Sequence, residues 1–130
     1  MLIRYLPVVL ALISAPAVQA APHTVSFDEL AKHPRRYHGE TVAVTAWLQV
    51  DTAHMIASLR PRPHADMSDL PEILLDCPRW LRLRKSRIYS AADHRVHVVG
   101  RFEFYGTHPI GWGGIFDKQI TKISTFEVVK

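Results

Sequence analysis

Gly39-Glu40-Thr41-Val42-Ala43-Val44-Thr45-Ala46-Trp47-Leu48-Gln49-Val50 is the stretch on which the fold turns. Val42, Val44, Ala46, Leu48 and Val50 alternate with Ala43, Thr45, Trp47 and Gln49. A period of two puts the first set on one apolar face of a β-strand. Arg95-Val96-His97-Val98-Val99-Gly100-Arg101-Phe102-Glu103-Phe104 repeats the scheme, with Val96, Val98, Gly100, Phe102 and Phe104 on its inner face. Each strand carries a small residue, Ala46 or Gly100, two places after its second inward valine. Small residues in mid-strand mark bends or close backbone approaches, as at a barrel corner. Two long, bent strands of this kind imply a small closed sheet.

Outward from these strands the remaining elements fall into order. Upstream, Ser26-Phe27-Asp28-Glu29 fits a capping box, in which Ser26 accepts the amide of Glu29 and Glu29 bonds back. Val25 and Leu30 stand where a hydrophobic staple would place them. The short helix runs to about His33 and is stopped by Pro34, after which Arg35 to Gly39 turn the chain into the first strand. Downstream, His54 to Arg60 reads as a second strand with Met55, Ala57 and Leu59 on one face, and Glu72 to Asp76 as a third. Between them lies a polar, proline-bearing loop, Pro61 to Asp69. Pro78 suits a helix N-terminus, and Arg79 to Arg87 is read as a helix, although Trp80 to Arg84 also alternates like a strand. Tyr105 to Gly114 holds four of the six glycines and is expected to form a long hairpin loop. Ile115 to Val129 supplies the last strand, with a bulge where the alternation slips between Ile120 and Ile123.

Strand, strand, strand, helix, strand, strand is the order of an OB-fold barrel. The likeness extends to particular positions. Ser26-x-x-Glu29-Leu30, Tyr37-x-Gly39-x-x-Val42-x-Val44-x-Ala46-x-Leu48 and Val96-x-Val98-x-Gly100-x-Phe102 resemble small secreted or periplasmic bacterial domains with an OB-like barrel. Those are core and turn positions. The resemblance implies a fold and a compartment, and carries no catalytic residue with it.

The first twenty residues are expected to stand apart from the barrel. Arg4 supplies a positive start, Tyr5 to Ile13 are an apolar run too short to span a bilayer, and Val18-Gln19-Ala20 fits a small-x-small cleavage site. The reading is a signal peptide over residues 1–20 and a single OB-fold-like domain over 21–130, secreted or periplasmic, with no membrane span after cleavage. The formal charge of +4 falls by one when Arg4 is removed. That is mildly basic, below the density of a dedicated nucleic-acid binder. Cys77 is the single cysteine, so the fold cannot depend on an internal disulfide.

No chemical motif is strong. The basic run Arg79, Arg82, Arg84, Lys85 and Arg87, interleaved with Trp80 and Tyr89, could follow a phosphate backbone or another polyanion. It could equally be a solvated helix face whose arginine stems cover apolar surface. Trp47 and Trp112 are candidate stacking aromatics, or large side chains that simply pack. The eight histidines include no tight metal-ligand pair; His94 and His97 straddle a turn and a strand start. Ser58, Ser86 and Ser90 lack the glycine elbow of common hydrolases, and no flanking pattern makes Cys77 a nucleophile. No catalytic, metal or cofactor residue is assigned. The expected function is a non-catalytic binding module of the cell envelope with a protein or polymer partner. Polyanion binding through Arg79 to Arg87 is one alternative, and a metal- or thiol-dependent enzyme is another.

Overall fold

A computed structural model describes residues 21–63, 71–106 and 116–130. The expected signal peptide, most of the proline-bearing loop and most of the glycine-rich stretch, Trp112 included, lie outside the described residues. The elements run β1 (His23–Thr24), α1 (Phe27–Lys32), α2 (Pro34–Tyr37), β2 (Thr41–Asp51), β3 (Ile56–Arg60), β4 (Ile73–Leu75), α3 (Arg79–Arg82), α4 (Lys85–Ser90), β5 (Arg95–Phe104) and β6 (Lys118–Val128).

β2 organises the rest because it is long enough to serve two partners. Its first part pairs antiparallel with β5, from Thr41 opposite Arg101 to Trp47 opposite Arg95. Its second part pairs antiparallel with β3, from Trp47 opposite Arg60 to Asp51 opposite Ile56. β3 continues to β4, β4 lies parallel to β6, and β6 returns antiparallel to β5. The five strands β2 to β6 therefore close in the order β2-β3-β4-β6-β5-β2, an OB-fold barrel. β1 lies parallel to β2 at Val42 and Ala43, along the edge that β3 leaves free.

The inward set follows the alternation. Val42, Val44, Ala46 and Leu48 of β2 and Val96, Val98, Gly100 and Phe102 of β5 are all buried. Gly100 marks a close approach: an added Cβ would stand 2.6 Å from Ile120 Cγ2 and 2.7 Å from the Thr121 carbonyl oxygen. The bulge falls opposite it. Val99 pairs with Thr125 and Arg101 with Thr121, so β6 carries extra residues there, and Lys122 adopts φ 48°.

Helices cap opposite ends of β5. At its far end, Phe27 and Leu30 of α1 enter the core, and the Gly39 amide, at φ 81°, donates to the Phe102 carbonyl at 2.8 Å. At its near end, Leu81, Ile88 and Ala91 of the α3–α4 segment are buried.

Four expectations need correction. Ser26 does accept the Glu29 amide at 3.1 Å, but Glu29 does not bond back, because its carboxylate takes Arg36 at 2.8 Å and the Tyr37 hydroxyl at 3.1 Å. Pro34 ends α1 and at once starts α2, since its missing N–H costs nothing in a first helical turn. The second strand begins at Ile56, not His54. The Asp51 carboxylate accepts the amides of Ala53 and His54 at 3.0 and 3.2 Å, which holds a turn and leaves Met55 exposed at φ 57°. The helix expected over Arg79 to Arg87 is two short helices separated at Leu83 and Arg84. Leu81 is buried while Leu83 is 73 % exposed, which excludes the alternating-strand reading.

Candidate functional site

The basic run does not act as one unit. Arg87 is half-buried; its Nη2 donates to the Phe126 carbonyl, and its guanidinium lies 6.0 Å over the Phe126 ring. It fastens α4 to β6. Arg79, Arg82, Arg84 and Lys85 are exposed and have no ion-pair partner among the described residues. Trp80 is exposed beside them.

Arg82 and Lys85 also line a cleft of about 540 Å³, set between the β2–β3 turn, the end of β4 and the α3–α4 segment. Its floor is apolar, with Val50, Ile56, Leu74, Leu75 and Ile88. The spacing explains one wall. Lys85 and Tyr89 are four apart on α4, hence on one helical face, and Arg82 lies three residues before Lys85. The Tyr89 hydroxyl donates to Met55 Sδ at 2.7 Å, which joins that wall to the β2–β3 turn.

Asp76, Cys77 and Gln119 complete the polar part of the cleft. Burial pushes the Cys77 thiol up to about 11; the Asp76 carboxylate adds to this and the Arg82 guanidinium opposes it. The sulfur is therefore a neutral thiol near pH 7 and a poor nucleophile. Gln119 spends its amide N–H groups on Glu103, at 2.9 Å, and on the Tyr105 oxygen, at 2.8 Å. Among the described residues, no group of three or more His, Cys, Asp or Glu side chains is placed to hold a metal ion.

Two further polar clusters lie on the outer barrel face. Glu72 accepts from Ser58 at 2.5 Å and pairs with the buried Arg60 at 3.0 Å. Glu103 accepts from Tyr105, Gln119 and Thr121, and the Tyr105 bond is the main reason its carboxyl sits below the usual glutamate range.

Of the residues singled out in the sequence, the structure brings Arg82 and Lys85 to the cleft, leaves Arg79, Trp80 and Arg84 on the surface nearby, and gives Arg87 a structural task. Trp47 is half-buried on β2 between the partners Arg95 and Arg60, and does not line the cleft. The apolar floor and Asp76, Met55 and Gln119 were not anticipated, because they converge from five elements spread along the chain, β2, β3, β4, α4 and β6. Among the described residues, no helix is long and apolar enough to cross a membrane. The chain matches no protein-family model and no curated protein.

Proposed function

We propose that the protein is a non-catalytic binding module of the cell envelope, exported by its N-terminal segment, that takes its partner at the cleft beside α3 and α4. One observation carries the reading. Arg82 and Lys85 stand on the rim of an apolar-floored concavity with no ion-pair partner among the described residues. A cleft of about 540 Å³ falls in the usual range for ligand sites, roughly 300–1,000 Å³. The barrel supplies the rigid floor, and the short helices supply the charge. Thiol-dependent chemistry fits less well, since burial keeps Cys77 protonated.

The test is capture from envelope extract, comparing the protein with its Arg82→Gln/Lys85→Gln variant. Both side chains are exposed, so the fold is expected to survive. A specific partner retained by the parent and lost by the variant supports the reading. Equal capture by the two removes the cleft as the site. The export part is tested separately: the envelope-located protein should begin at Ala21, and finding Met1 at its N-terminus would remove that part.

A second reading has its own observation. Arg79, Arg82, Arg84 and Lys85 place four cations without ion-pair partners among the described residues within seven positions, as a polyanion site would.

A further inference from the structure

We infer that the ligand class of the cleft is a monoanionic amphiphile: one carboxylate or phosphate diester joined to a hydrocarbon or aromatic body. This rests on the binding-module reading above and adds the chemistry of what is bound. Among the described residues, the charges that line the cleft are Arg82, Lys85 and Asp76, two positive against one negative. One anionic group balances them. The other polar groups do not change that count. The Cys77 thiol is neutral, the Tyr89 hydroxyl is engaged with Met55, and the Gln119 amide hydrogens are engaged with Glu103 and Tyr105.

The apolar floor sets the other half of the ligand. Val50, Ile56, Leu74, Leu75 and Ile88 present hydrocarbon to the cleft, and Met55 lines it from the β2–β3 turn. An inorganic anion would leave that surface wet. A simple hydrocarbon would leave two cations without a counter-charge on the rim. A molecule with both parts buries its body on the floor and sets its head between Arg82 and Lys85. Asp76 accepts a hydroxyl or amide hydrogen if the ligand carries one near its head.

The experiment is titration calorimetry on the protein purified from the envelope, with four kinds of probe. Dodecanoate and the phosphate diester methyl dodecyl phosphate, kept below their micelle concentrations, carry head and tail. Acetate and dimethyl phosphate carry the head alone. Dodecyltrimethylammonium carries the same tail with the opposite charge. Vesicles of anionic phospholipid present the same head as a surface. The two dodecyl anions should bind, and the other probes should bind at least about tenfold more weakly. Arg82→Gln and Lys85→Gln should each cost about tenfold or more, the scale of a lost charge-assisted contact. Met55→Asn should weaken both dodecyl anions alike, because it removes tail contact. Asn is comfortable at φ 57°, so that variant keeps the turn.

Binding of the dodecyl cation as tightly as the anions overturns the inference, as does full affinity in both charge variants. Vesicle binding without binding of the free amphiphiles also overturns it, because a surface and not the cleft would then be in use. If no probe binds while envelope capture still depends on Arg82 and Lys85, the ligand class is wrong and the module reading survives. If neither is seen, both fall.

Discussion

The Cβ that Gly100 lacks would stand within 3 Å of Ile120 Cγ2 and the Thr121 carbonyl oxygen, at 2.6 and 2.7 Å. The second neighbour is backbone, which cannot rotate away as a long side chain can. Gly100→Ala should therefore force β5 and β6 apart at the bulge and cost about 1–3 kcal/mol, read as a lower urea midpoint. The need for a small residue here was legible from the alternation in β5, but the carbonyl it faces was not. Glu103 gives a second prediction at this scale. Its side chain is 17 % exposed, and hydrogen bonds, chiefly from the Tyr105 hydroxyl and then from Gln119, hold its carboxyl below the ordinary value of 4.5. A depressed folded-state pKa stabilises the fold above the unfolded value and loses that contribution as pH falls through the folded value. The advantage of the parent over Glu103→Gln in urea melts should thus be present near neutral pH and fade below about pH 4.5. An advantage unchanged down to pH 2 would mean that the carboxylate charge is not what matters. The same bond holds the Tyr105 phenol above its ordinary 10.0, so it is lost a second time at the alkaline extreme, where the phenol ionises.

Among the elements, legibility followed the period of the side chains. β2 and β5 were readable because a repeat of two fixes both the strand and its buried face. The break between α3 and α4 was not, since no residue from Leu83 to Lys85 is a helix breaker. The start of β3 was missed because an Asp side chain, satisfying two amides ahead of it, outweighed the propensity of His54 and Met55. The burial of Arg60 was hidden too, because Arg60 pairs with Glu72, which stands just before the next strand. Arg87 shows how the same blindness affects the basic run: nothing in the sequence separates it from Arg84. Arg87→Gln should cost about 1–3 kcal/mol, through loss of its charge-assisted bond to the Phe126 carbonyl and its packing on that ring. Arg84→Gln, at an exposed position, should leave stability within about 0.5 kcal/mol of the parent. A pair of chemical denaturation curves decides it, and equal midpoints would mean that Arg87 fastens nothing.

For the whole molecule, the question is whether its positive charge acts as a field or as a site. The formal charge is +4, and Arg79, Arg82, Arg84 and Lys85 are four cations without ion-pair partners among the described residues in one short segment. A single-stranded polyanion meeting all four would release condensed counterions at each contact. Its log–log affinity would then fall with salt at a slope of about 3, at about 0.7 per contact. A monoanion in the cleft has no condensed atmosphere to release, and the apolar floor that holds its body is little affected by salt. Titrating methyl dodecyl phosphate and single-stranded DNA in parallel, from about 0.05 to 0.2 M salt, separates the two cases. The amphiphile should lose little affinity over that range, whereas the DNA should weaken steeply. Arg79→Gln/Arg84→Gln should flatten the DNA slope by about 1.4 and leave the amphiphile unchanged, because neither residue lines the cleft. If the amphiphile instead follows the DNA, with the same steep slope and the same loss in that variant, the cleft is not a separate site. The four cations would then form one polyanion surface, with the apolar floor serving only to support α3 and α4.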